Sequence, residues 1–218
     1  MTTTQLRPEL EPLPFRMRHL PVDERGYVVP WFVAWVNGKP EFRTMDRDKW
    51  KHAIRERRCW VCGDILGVNL AFVIGPMCGI NRTTSEPPCH LECARWSARN
   101  CPFLSRPHMV RREDEITEAA RQNVSGEMIT RNPGVTLIWI TRTYKIWRDT
   151  KDRPLIEVGE PESVEWWAER RPATRAEVEE SVRTGLPLLE DLARQDRDPL
   201  GALKALDRAR QRFEALYP

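Results

Sequence analysis

Lysine is scarce in this chain: 6 residues against 29 arginines among 218. Histidine is scarcer still, with only His19, His52, His90 and His108. No apolar run approaches the roughly 20 residues that cross a bilayer as a helix. The opening Met1-Thr2-Thr3-Thr4-Gln5 lacks the basic-then-apolar pattern of a secretory leader. These absences predict an intracellular, cytoplasmic protein without a membrane partner. Also missing are a Gly-x-Ser-x-Gly elbow, a Gly-rich phosphate loop ending in Lys, and a dinucleotide fingerprint, which removes the commonest hydrolase, nucleotide-triphosphatase and dehydrogenase signatures. There is no Gly/Ser-rich linker to divide the chain and no internal repeat.

What is present suits a folded protein: 40% hydrophobic and 31% charged residues. The net charge of +3 conceals an asymmetry. Through Arg112 there are 18 Lys and Arg against 11 Asp and Glu, a surplus of +7; from Glu113 onward 17 stand against 21, a deficit of −4. Two readings follow: the basic half meets a polyanion, or the halves pack on each other. The arginine surplus itself fits phosphate and carboxylate recognition by a planar fork, and equally fits GC-rich coding.

The most informative pattern is Cys59-Trp60-Val61-Cys62 followed, after 27 residues, by His90-Leu91-Glu92-Cys93. Two close pairs of soft ligands supply the four donors of one tetrahedral zinc ion, and each pair spans a single tight turn. Gly63 lets the chain turn beneath the metal. Pro87-Pro88 before the second pair and Ala94 to Arg99 after it predict that His90 and Cys93 sit at the first turn of a helix. Four protein ligands leave no position for a reactive water, so the expected role is structural; chance spacing among six cysteines and a catalytic zinc are the alternatives.

This arrangement of knuckle, hairpin and helix resembles the treble-clef group of zinc fingers over roughly Arg58 to Leu104. The resemblance implies a fold more than an activity, since that fold serves many functions. The small, Arg-rich character is also similar to that of bacteriophage and prophage proteins of GC-rich bacteria, a likeness that lends no residue a role. Cys78, Cys89 and Cys101 lie in the same region. Any of them could replace a named ligand, or join His108 in a second metal site.

Read in order, residues 1–26 form a Pro-rich arm or strap. Residues 27–112 hold a hairpin around Asn37-Gly38, with a first strand apolar on both faces, then a short helix capped by Asp46, then the zinc unit. Gly75 to Arg82 is expected as a loop, with Asn81 and Arg82 at a helix entrance able to meet an anion. Residues 113–218 begin with a polar segment, about Arg111 to Asn132, holding a short helix. A long strand from Gly134 to Arg148 follows, with a return strand from Leu155 to Val158, and Trp166-Trp167 is placed on a helix. Thr174-Arg175-Ala176-Glu177 is a capping box, and Val178, Val182, Leu186 and Leu189 form a stripe expected against Leu203, Leu206 and Phe213 of a last helix, with Pro187 bending or interrupting the first. The whole predicts an α+β fold, packed as one composite domain: a treble-clef-like zinc unit, β-hairpins and a C-terminal antiparallel helical pair.

Two enzyme classes come near. An HNH-like nuclease needs a histidine base inside the knuckle-to-helix unit, and none lies between Cys62 and His90. A zinc deaminase is suggested by His90-x-Glu92, but its Pro-Cys-x-x-Cys should follow downstream, and here Cys93 would close the metal. The expectation is therefore a non-catalytic, zinc-stabilised binding protein. Its most plausible partner is nucleic acid, met by Arg55, Arg57, Arg58, Arg82, Arg95 and Arg99 around the zinc unit. The alternative is a protein-interaction adaptor anchored by a tryptophan-rich surface or the C-terminal helices.

Overall fold

A computed structural model describes residues 5–106 and 132–218. The architecture is mixed α+β with antiparallel sheets throughout. In chain order the elements are β1 (Val33–Val36), β2 (Lys39–Met45), α1 (Arg47–Arg55), β3 (Leu70–Ile74), α2 (Pro76–Asn81), β4 (Thr83–Thr84), α3 (Leu91–Asn100) and α4 (Pro102–Ser105). After the undescribed residues come β5 (Thr136–Thr141), β6 (Tyr144–Arg148), β7 (Pro154–Val158), β8 (Ser163–Ala168), β9 (Arg171–Pro172), α5 (Arg175–Arg194) and α6 (Pro199–Glu214). The strands form three sheets: β1-β2, β3-β5-β8-β9 and β4-β7-β6.

Asn37 and Gly38, both at positive φ, make the expected hairpin turn. Its first strand is shorter than predicted and is not buried on both faces: Trp35 and Val36 lie exposed near the tip. Asp46 caps α1 as expected, accepting from the backbone of Asp48 and Lys49. The long strand expected over Gly134 to Arg148 is broken. β5 runs in the central sheet and β6 in another, because a corner forms at Thr141 to Thr143. There the buried Thr141 hydroxyl donates to the Glu160 carbonyl at 2.7 Å, and Gly159 donates its N–H to the Thr143 carbonyl at 2.9 Å. A side chain at Gly159 would meet Thr143 Oγ1 at 2.3 Å, so the corner requires glycine.

Trp166 and Trp167 lie on strand β8, not on a helix. Alternation then sends Trp166 into the core, where its ring meets Phe213 edge-on at 5.6 Å and its indole N–H reaches the Leu216 carbonyl at 2.7 Å. The residues expected as a loop after Gly75 form α2, started by Pro76 at its first turn. α2 is wedged against α5, α6 and β5. The fit is tight: a Cβ on Gly79 would sit 2.5 Å from the Phe213 ring, and one on Gly185 would sit 2.9 Å from Met77 Sδ.

The C-terminal pair forms with only part of the expected stripe in the core: Leu206 packs at its edge, and Leu186 and Leu203 are half-buried outside it. Thr174 and Glu177 make a reciprocal capping box, and Val178, Val182 and Leu189 are buried. Pro187 does not interrupt α5, which runs unbroken for 20 residues. One apolar core joins Met17, Trp60, Phe72, Ile138, Trp166, Val178 and Phe213. The N-terminal segment behaves as a strap: Met17 is fully buried, the Glu11 N–H donates to Asn100 Oδ1 at 2.8 Å, and Trp96 Nε1–H reaches the Glu11 carbonyl at 3.2 Å. The predicted polar segment from Arg111, and His108, fall outside the described residues.

Candidate metal centre

Cys59 and Cys62 sit on a knuckle closed by an antiparallel bridge between Arg58 and Ile65. Two residues at positive φ, Arg57 and Gly63, let the chain reverse so tightly. Gly63 is needed twice over, because a Cβ there would lie 2.8 Å from the Trp31 ring. Within the knuckle the Gly63 N–H donates to the Cys59 carbonyl at 2.8 Å and the Cys59 N–H to the Asp64 carbonyl at 2.7 Å. The second pair arrives by a different route from a simple hairpin: the chain runs through β3, α2 and β4, then returns beside β3 through an Ala71–Cys89 bridge. His90 is the N-cap of α3 and Cys93 lies in its first turn. That is the placement expected from the prolines before it, and it brings the positive end of the helix to the thiolates.

The four donor atoms of Cys59, Cys62, His90 and Cys93 all lie within 4.8 Å of one another. Zinc–sulfur bonds of about 2.3 Å place tetrahedral ligands roughly 3.8 Å apart, so the cluster has the dimensions of one metal site. The three cysteines are buried. Cys59 Sγ accepts the backbone N–H of Cys62 and of His90, each at 3.4 Å. His90 turns Nδ1 toward Cys62 Sγ at 3.4 Å, while Nε2 lies 3.1 Å from the Ile65 carbonyl. A proton on Nε2 donated to that carbonyl leaves Nδ1 as the free ligand atom, the outer-shell arrangement that orients a metal-bound imidazole.

The charges of the cluster are strongly interdependent. Burial opposes ionisation of Cys59, but hydrogen bonds from Cys62, Cys93 and His90 outweigh it and hold this thiol far below the usual range. Hydrogen bonds to Cys59 and Cys62 push Cys93 in the opposite direction, and the same two neighbours raise His90 to about 10. A thiolate-binding metal takes its ligands deprotonated, so binding at this cluster releases protons.

The remaining cysteines stay outside the cluster. Cys89 points away and donates its S–H to the Ala71 carbonyl at 3.2 Å; burial, then the nearby Cys59 and Cys62, push its thiol upward. Burial likewise raises Cys78 to about 11 and lifts Cys101. Among the described residues no second group of metal-binding side chains occurs.

Sequence reasoning missed the strap's part in this centre. His19 Nε2 lies 3.0 Å from the Cys62 carbonyl, and Arg16 reaches Glu92 at 3.1 Å and Asp64 at 3.8 Å, tying the knuckle to α3. No spacing rule joins His19 to a motif 40 residues on, and only the folded strap brings it there.

Each of the six nominated arginines is directed to an acceptor of the chain itself. Arg55 and Arg58 both donate to Glu56, at 2.6 and 2.8 Å, and His52 Nδ1 lies 2.7 Å from the same carboxylate. Arg55, Arg58 and His52 hold that carboxyl down to about 2. Arg57 donates to the Gly67 carbonyl at 3.1 Å. Arg82 caps the C-terminal end of α2, not a helix entrance, and donates to the Val158 carbonyl at 2.8 Å and to Glu160. Arg95 binds Glu165 on β8, and Arg99 binds Glu11 at 2.9 Å while covering the Trp167 ring at 5.2 Å. Arg82 and Arg95 thus tie the basic half to the acidic half.

No family model, curated protein or solved structure matches this chain. Among the described residues no helix is long and apolar enough to cross a membrane.

Proposed function

We propose that the chain is a zinc-built contact protein that engages a protein partner without chemistry, its knuckle and α3 forming a treble-clef-like unit. Three thiols and an imidazole are the donor set of a closed structural zinc, and a full tetrad leaves no site for a reactive water. One observation carries the choice of partner. The stretch that leaves the closing bridge of the knuckle displays Ile65 and Val68, each 67% exposed, at the place where the Ile65 carbonyl is fixed by His90, while the neighbouring arginines are directed to the chain's own acceptors. Exposed apolar side chains on a fixed stretch with a polar surround are the anatomy of a protein-contact anchor.

A second reading, contact with nucleic acid, draws on the cations around Glu56: Arg55, Arg58 and His52 share that single carboxylate, and Arg57 meets the Gly67 carbonyl. A phosphate could compete there, since exposed ion pairs hold their partners weakly.

The test compares wild-type protein with an Ile65→Asp/Val68→Asp variant. Loss of a crosslinked protein partner at unchanged metal content and Tm is the expected result. Oligonucleotide binding that falls by roughly 0.9 in log–log slope per phosphate contact as salt rises, and that disappears in Arg55→Ala/Arg57→Ala/Arg58→Ala, overturns it in favour of the second reading.

A further inference from the structure

Every sheet edge but one in the described residues is short, interrupted or covered. β4 and β9 have two residues each. β2 carries Pro40, and its partner β1 breaks register between Val33 and Ala34. The outer side of β3 is met by Cys89 through the Ala71 bridge. β6 differs: it is five residues long, ends its sheet, contains no proline or bulge, and exposes every residue but Tyr144. Ile146 and Trp147 are 42% and 43% exposed. A bare edge of this kind is a template for pairing with another strand.

The backbone phase of β6 follows from its bonds to β7. The Asp149 N–H donates to the Arg153 carbonyl at 3.0 Å and the Gly159 N–H to the Thr143 carbonyl at 2.9 Å. In the observed register Asp149 and Thr143, and hence Lys145 and Trp147, direct their N–H and C=O toward β7. Tyr144, Ile146 and Arg148 direct theirs outward to the open edge.

We propose that β6 pairs antiparallel with β6 of a second copy of this chain, about a two-fold axis at Ile146. This dimer does not rest on the knuckle-contact reading above. The phase makes Ile146 with the partner's Ile146, and Tyr144 with the partner's Arg148, the hydrogen-bonded pairs, so all the outward backbone groups are satisfied at once. Lys145 then faces the partner's Trp147 in the close, non-bonded pair, where side chains approach most nearly. The cross-strand contacts are complementary: cation over indole twice and isoleucine on isoleucine, while Arg148, already bonded to Asp152, lies beside the partner's Tyr144, whose ring packs on Phe72, with no like charges opposed. A shift by two one way puts Trp147 opposite the partner's Trp147 and moves Lys145 off the strand to the partner's Asp149; the other way it opposes Lys145 to the partner's Lys145. A two-fold seam of this kind closes on itself and creates no further edge at β6.

Sedimentation velocity on the full chain tests the seam. A 25.5 kDa monomer in equilibrium with a species of twice that mass is expected at tens of micromolar, about what a small interface supports. Trp147→Lys sets a cation against Lys145 of the partner subunit and should raise the dissociation constant about tenfold. The double variant Lys145→Trp/Trp147→Lys exchanges the two positions and should restore the dimer, which separates a lost contact from a damaged hairpin. Ile146→Pro removes an outward N–H that β7 does not use and should give monomer. A chain that stays monomeric to about 100 µM overturns the proposal, as does a dimer that neither Trp147→Lys nor Ile146→Pro weakens.

Discussion

Between Arg57 and Leu66 the knuckle places two residues at positive φ and buries Cys59 and Cys62, with only Trp60, Val61 and Leu66 as other buried apolar side chains. Across the molecule α5 and α6 run through 20 and 16 residues with capped starts, and bury Val178, Val182, Leu189 and Phe213 against one another, α2 and β8. The helices are held by periodic apolar packing that any compatible set of side chains could supply. The knuckle has no period to pack on, and its strained reversal persists where four specific side chains converge. Loss of one ligand should therefore act on the knuckle as a unit, while loss of one core side chain should cost the helices a graded amount.

The largest effect expected is at the metal. Purified chain should carry one ion per molecule, and Cys62→Ser or chelation should release it and unfold the knuckle, because binding at such sites supplies on the order of 10 kcal/mol. Metal analysis with thermal melts in chelator checks this. Cys78→Ser and Cys101→Ser should keep the ion. If Cys62→Ser retains both metal and Tm, the contrast between the two regions collapses.

Phe213→Ala should come next, at about 3–5 kcal/mol in urea unfolding, since the ring is buried and contacts both Trp166 and Tyr217. Its metal content should not change, which is what separates packing from ligation. Gly79→Ala should follow at about 1–3 kcal/mol, because the new methyl would press on Phe213 and Leu137.

Thr174→Ala, which removes one half of the capping box, should cost about 1 kcal/mol. The smallest effect is a pH dependence. Hydrogen bonds from Arg171 and the Thr174 backbone lower the Glu177 carboxyl from 4.5 to about 2. A depressed acid stabilises the fold fully above its unfolded value, so this contribution is present above about pH 4.5 and disappears as pH falls through about 2. Melting curves of Glu177→Gln should then show a shallower loss of Tm between those values than wild type. Equal slopes would mean that the cap stabilises only by its neutral hydrogen bonds.

Much of this was legible because it depends on neighbours in sequence. The spacing of Cys59, Cys62, His90 and Cys93 marked the tetrad, Asn37-Gly38 the first hairpin, and Thr174 with Glu177 the start of α5, since turns and caps are satisfied within a few residues. The errors share a cause. Trp166-Trp167 has no local mark that separates strand from helix, and β5 chose its period by pairing with β3 on one side and β8 on the other. The strand from Gly134 to Arg148 reads as continuous until Gly159 and Glu160 meet Thr141 and Thr143 at the corner.

By itself the sequence determined the ligand types, the caps, the apolar stripe of α5 and the surplus of arginine. Only the tertiary structure decided that His90 turns Nδ1 inward by bonding Ile65, that Arg82 and Arg95 meet Glu160 and Glu165, and that β6 is left as an open edge. The physical reason is range. A cap or a ligand pair is set by a few adjacent dihedral angles, whereas the orientation of a half-buried histidine, an ion pair spanning 70 or more residues, or an unpaired strand edge depends on which distant segments the core brings side by side.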